Sequence, residues 1–196
     1  MRQPLKKIVG LVVIGLLLLA CKTKSKAMKV VQEPEYELQI AANQKAVLIL
    51  FPCFPCDRNN TKTEAKFLEG IEKHGVTTLL LSYNRKLFLT PAEQTQQAAS
   101  LNRILDKNRV EKENIYIGGF SSGGNVSVVL SNYLLQTRNP IQPKGLFVVD
   151  SPLDLEQLYY NAQANLKINK SEETVQEARA FLRLFYTLRS SGPARQ

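Results

Sequence analysis

The sequence predicts a single α/β domain, a three-layer α/β/α sandwich built on a mostly parallel sheet, and three observations lead there. Four short runs, 46–51, 76–81, 114–119 and 145–149, are apolar almost throughout. Between them lie stretches whose apolar residues recur at helical spacing. Strands that are apolar on both faces need both faces covered, and right-handed strand–helix–strand crossovers supply that cover. The third observation is composition: 44% hydrophobic and 22% charged over 196 residues is ordinary for one globular domain, and it excludes a disordered, collagenous or polytopic membrane chain.

At the N-terminus, Arg2, Lys6 and Lys7 precede the apolar stretch 8–19. That stretch is too short to cross a hydrocarbon core of about 30 Å as a permanent helix, so residues 1–20 read as an export signal. It ends in Leu18-Leu19-Ala20-Cys21, which resembles the lipobox of bacterial lipoproteins. The resemblance implies that Cys21 receives the lipid and that the mature protein is anchored to a membrane of the bacterial cell envelope. Each buried acyl CH₂ contributes about 0.8 kcal/mol to such an anchor. Residues 21–35 form a basic linker whose Lys22, Lys24, Lys26 and Lys29 either make a solvated spacer or touch anionic headgroups. This placement also accounts for the net charge of +9: residues 1–30 hold seven of the 26 basic side chains and no acid, so the rest is nearly balanced. Nucleic-acid binding is excluded on that ground, since it needs the basic excess on the folded part.

Residues 36–196 form the domain. Tyr36–Ile40 alternates as a half-exposed strand, and 46–51 is the first buried one. Asp57-Arg58-Asn59-Asn60 reads as loop, followed by a capping box Thr61-x-x-Glu64 and a helix with Phe67, Leu68 and Ile71 on one face, ending at His74-Gly75. Thr90-Pro91-Ala92-Glu93 is a second capping box, with Pro at the first helical position and a stripe of Leu101, Ile104 and Leu105. Val126, Val129, Leu130, Tyr133 and Leu134 fall at i, i+3, i+4, i+7 and i+8, and that helix stops before Asn139-Pro140. After the fourth apolar strand, Leu155, Leu158, Tyr159 and Ala162 mark one helix and Val175, Ala178, Leu182 and Phe185 another.

The chemistry centres on Gly119-Phe120-Ser121-Ser122-Gly123, a G-x-S-x-G motif between a buried strand and an amphipathic helix. Glycines two before and two after the serine remove the Cβ atoms that would collide in a tight turn, so Ser121 projects outward. The helix that follows turns its N-terminal amides, Ser122 included, towards the place where an attacked carbonyl becomes an oxyanion. The competing reading is a glycine-rich strand–helix connection that holds a phosphate, or nothing; G-x-G-x-x-G and the Gly-Lys-Ser or Gly-Lys-Thr ending of a nucleotide site are both missing. Over about residues 36–160 the chain resembles the α/β-hydrolase superfamily, with this stretch as its nucleophile elbow. The resemblance implies hydrolysis of a carboxylic ester or related acyl bond by Ser121, with neither a metal nor an organic cofactor. In many esterases of that superfamily the loop giving the second oxyanion amide reads His-Gly or His-Gly-Gly. Here it is Phe51-Pro52-Cys53-Phe54-Pro55-Cys56. Proline has no amide hydrogen, which leaves Cys53 or Phe54 as donor, with Phe54 alternatively lining the acyl pocket.

Asp150 ends the next strand at the carboxyl edge, where ligands gather in such sheets, and neighbouring strands lie about 4.8 Å apart. It either orients the base for Ser121 or caps the turn into the following helix; Asp154 is an equal candidate for the cap. The superfamily orders its triad serine, acid, histidine. The only histidine here, His74, precedes Ser121 and ends a helix, where it is expected to face solvent or terminal carbonyls. The chain also lacks the last strands that the resemblance implies, so it reads as C-terminally incomplete or as a branch without the usual base. Removing the base from such a triad costs about a million-fold in turnover, which leaves enzyme activity open. Two other readings remain beside the serine hydrolase: a non-catalytic binding lipoprotein of the same fold, and a thiol–disulfide oxidoreductase using Cys53-Phe54-Pro55-Cys56. Against the last, a helix should open directly after the pair and a cis-proline should face it, whereas 57–60 reads as loop and Pro91 starts a helix. Two cysteines and one distant histidine do not make a four-ligand zinc site.

Overall fold

The apolar runs become strands, in one six-stranded sheet. The computed structural model describes residues 27–82, 86–169 and 171–191. The strands are β1 (Lys29–Gln32), β2 (Tyr36–Ile40), β3 (Ala46–Phe51), β4 (Val76–Leu81), β5 (Ile115–Phe120) and β6 (Pro143–Val149). Their order across the sheet is β1-β2-β4-β3-β5-β6. β3 pairs in parallel with both β4 and β5, and β5 with β6; β1–β2 and β2–β4 are antiparallel. The sheet is therefore mixed and mostly parallel. All four parallel strands point their carboxyl ends to one edge, where Ser121 follows β5. The signal stretch and Cys21 lie outside the described residues. The linker assigned to 21–35 contains β1, which extends the sheet before residue 36; a four-residue strand has too little periodicity of its own to announce itself.

The helices are α1 (Arg58–Glu64), α2 (Pro91–Lys107), α3 (Ser122–Gln136), α4 (Leu155–Ile168) and α5 (Glu172–Ser191). The expectation for α1 is corrected. It opens at Arg58, capped by Asp57, whose carboxylate accepts from the amides of Asn59 and Asn60 while Asn60 Oδ1 accepts from the Asp57 amide. Asp-x-x-Asn does here what Thr61-x-x-Glu64 was expected to do. The helix ends at Glu64, and two short 3₁₀ turns, Lys66–Leu68 and Ile71–His74, replace its expected continuation, with Gly70 between them at φ 76°. The α2 box is as expected: the Glu93 amide donates to Thr90 Oγ1 and the Thr90 amide to Glu93 Oε2 at 2.9 Å. Burial raises the Glu93 pKa, but hydrogen bonds from Lys86 and Thr90 outweigh it, and the carboxyl is held below its ordinary value of 4.5.

On one face of the sheet, Leu101, Ile104 and Leu105 of α2 and Val126, Leu130 and Leu134 of α3 pack on Val47, Ile49, Leu79, Ile115 and Ile117. These side chains are almost fully buried, and each contributes about 1.5–3 kcal/mol over exposure. α1 contacts β3 and β4, and the second 3₁₀ turn contacts β4. α4 and α5 form a hairpin with a small core of its own, Ala162, Ala178 and Leu182, flanked by Tyr159 and Phe181. No helix among the described residues is long and apolar enough to cross a membrane.

Candidate active site

Ser121 stands at the junction where β5 ends at Phe120 and α3 begins at Ser122. Its backbone has φ 48° and ψ −126°, a region sparsely populated for any residue with a Cβ. Two hydrogen bonds hold it there: its amide donates to the Val149 carbonyl, and its carbonyl accepts from the Gly124 amide, both at 2.9 Å. The side chain is half-exposed, and its hydroxyl has no hydrogen-bond partner among the described residues. An outward-facing serine on a strained strand-to-helix turn is what the G-x-S-x-G pattern predicts.

The flanking glycines are there for close approach. A Cβ on Gly119 would lie 2.3 Å from the Gly123 carbonyl carbon, and one on Gly123 would lie 2.3 Å from the Phe51 oxygen and 2.6 Å from the Pro52 oxygen. The second contact packs the start of α3 directly on the chain leaving β3, so the Phe51–Cys56 loop and the elbow share one edge. Within that loop Cys53 and Cys56 form a disulfide, with Cα atoms 4.9 Å apart, and the Cys56 amide donates to the Cys53 carbonyl at 2.8 Å. With that amide engaged and Pro52 and Pro55 having none, the Cys53 and Phe54 amides are left, and they donate to no described group. Ser122 is buried with its Oγ unpartnered, and its backbone amide, at the first position of α3, donates to no described group.

Asp150 is exposed at the end of β6, at φ 48°, on the same edge. Of the two readings for the cap, the structure selects Asp154: its carboxylate accepts from the Gln157 amide at 2.8 Å at the start of α4. Asp150 is thereby relieved of that role. His74 is exposed in the 3₁₀ turn before β4, beside Asn43 and Lys45. It lies at the amino edge of the parallel strands, with the length of β4, about 20 Å, between it and the carboxyl edge. His74 is therefore not a base for Ser121. Of the two objections to a redox pair, one falls: α1 opens directly after Cys56-Asp57. The other holds, since Pro91 starts α2.

Two residues that sequence reasoning missed tie the Asp150 loop to the elbow helix. A Cβ on Gly124 would come within 1.9 Å of Ser151 Oγ, and the buried Asn125 donates from Nδ2 to the Pro152 carbonyl at 3.0 Å. A second glycine directly after the motif, in a helix where it costs about 1 kcal/mol relative to Ala, was the available signal. Beside the elbow, Phe120 stacks edge-on against Phe147 and Phe147 against Phe67, with ring centroids 6.0 and 5.4 Å apart.

Compared by sequence, the chain matches no protein-family model and no curated protein. Compared by structure, it is similar to esterases. An esterase from Pyrococcus furiosus aligns with a TM-score of 0.55 at 15% identity, over 87% of this chain and 65% of that one. A mutant esterase aligns at 0.52 and 17%, over 86% and 59%. An esterase/lipase from an uncultured bacterium aligns at 0.46 and 17%, over 76% and 55%. The fold is thus that of the α/β-hydrolases, and the chain spans less than two thirds of the length of these neighbours.

Proposed function

We propose that the protein is a serine hydrolase-like lipoprotein whose Ser121 takes the acyl group of a carboxylic ester. The single observation that carries this reading is the strained, half-exposed Ser121 at the strand-to-helix junction. The sequence of events is attack by Ser121 Oγ on the carbonyl, an oxyanion held by the Ser122 amide and by that of Cys53 or Phe54, an acyl-enzyme, and release by water. Asp150 is the acid of this arrangement, one strand over on the same edge. The chain's one histidine is at the far edge, so these 196 residues supply a nucleophile, oxyanion amides and a carboxylate but no imidazole. Turnover of unactivated esters by this chain is accordingly negligible, and with no imidazole to take the Ser121 proton even reactive acyl and phosphonyl groups form the covalent adduct only slowly. Cys21 carries the lipid and holds the domain at the membrane of the bacterial cell envelope.

A second reading is favoured by the same missing imidazole: a non-catalytic lipoprotein that kept the fold for binding. A fluorophosphonate probe separates the two. Covalent labelling that disappears in Ser121→Ala supports the nucleophile; a folded protein that takes no label is the binding protein.

A further inference from the structure

We propose that Cys53 and Cys56 are positioning residues for the serine site, their disulfide holding the Cys53 and Phe54 amides beside Ser121, so that the redox state of this pair sets the reactivity of the serine. The inference rests on Ser121 being the nucleophile. The loop is fixed at both ends. Upstream, the carbonyls of Phe51 and Pro52 abut Gly123 in the first turn of α3. Downstream, Asp57 caps α1, and the guanidinium of Arg58 donates to the Glu33 carbonyl at 2.7 Å and to Ser82 Oγ at 2.8 Å. Between these anchors lie only residues 53–56, closed by one hydrogen bond and one covalent bond across the same two residues. The hydrogen bond is partly exposed to water and holds the turn weakly by itself. The disulfide does not open thermally. It therefore keeps the two free amides at a fixed offset from the elbow, and a donor that must meet a developing oxyanion at about 3 Å depends on that offset.

Both cysteines are half-exposed, so a small dithiol can reach the pair. Its thiolate attacks one sulfur, and its second thiol closes the reagent as a cyclic disulfide. The Cys53–Cys56 bond breaks, one S–S bond forms in the reagent, and two electrons with two protons pass to the protein, leaving two thiols.

The test measures the rate at which a fluorophosphonate labels Ser121 in the full chain. It compares the oxidised chain, the dithiol-reduced chain with its thiols counted by alkylation and mass spectrometry, and Cys53→Ser/Cys56→Ser. A urea melt accompanies each. Reduction is expected to lower the maximal labelling rate on the order of 100-fold, as for loss of an oxyanion donor, with the half-saturating probe concentration unchanged. Reoxidation restores the rate, and the double variant is slow and indifferent to dithiol. Equal rates in the folded oxidised and reduced chain overturn the inference alone. A loss of rate that merely follows global unfolding also overturns it, by making the disulfide a stability element only; the reversible comparison on the native chain decides this even if the double variant does not fold. No labelling in either state overturns the nucleophile and this inference together.

Discussion

Replacing Ser121 by glycine is expected to stabilise the protein while abolishing its reactivity. At φ 48° and ψ −126° a residue with a Cβ carries about 1–3 kcal/mol of backbone strain, and glycine relieves most of it. Against this, glycine adds freedom to the unfolded chain, worth about 0.5–1 kcal/mol. The Ser121 hydroxyl has no hydrogen-bond partner among the described residues, so no further loss enters. At the middle of these ranges the net gain is about 1 kcal/mol. Ser121→Ala keeps the Cβ and the strain, and its stability is expected within about 0.5 kcal/mol of the parent. The assay is urea denaturation of all three proteins. With a slope of about 2 kcal/mol/M, the glycine variant unfolds at a midpoint about 0.5 M higher than the alanine variant. A glycine variant at or below the alanine variant would refute the claim that the elbow stores strain.

Gly123→Ala places a Cβ within 2.3 Å of the Phe51 oxygen, where backbone rather than a pliant side chain must yield, so a loss of about 2 kcal/mol and slower phosphonate labelling are expected; unchanged melts would show that the loop and elbow are not packed together. Asp154→Ala should cost about 1 kcal/mol as a lost helix cap, while Asp150→Asn, exposed, without a capping role and tolerant of its φ of 48°, should leave stability within about 0.5 kcal/mol; equal costs would contradict the assignment of the cap. The depressed Glu93 carboxyl stabilises the fold above its ordinary value of 4.5, and that contribution is lost as pH falls through the lower folded value. The stability gap between parent and Glu93→Gln should therefore shrink from neutral pH to about pH 3, and a gap constant with pH would remove the linkage.

What the sequence could convey was local. The elbow was legible because a strand, a glycine-flanked serine and an amphipathic helix follow one another, and the Thr90–Glu93 box because both partners lie within one turn. The Asp57–Asn60 box went unread because asparagine replaces the usual Glu or Gln, and that misreading put a loop where α1 begins. The anchoring of the Asp150 loop by Gly124 and Asn125 is a contact between segments about 27 residues apart, which no periodicity encodes. Choosing Asp154 over Asp150 as the cap required the carboxylate to be seen on the Gln157 amide, since both residues precede the same helix. Whether Cys53 and Cys56 are joined depends on how the intervening turn brings their Cα atoms together, which the spacing alone leaves open.

The most direct measurement is acylation itself: the full chain is mixed with an excess of an activated aryl acetate, and aryl alcohol release is followed together with intact and peptide mass. With the roles proposed above, a nucleophile with oxyanion amides and no imidazole predicts slow release of about one equivalent, a single acetyl group on Ser121, and negligible turnover afterwards. An unmodified Ser121, or the same release from Ser121→Ala, would contradict it.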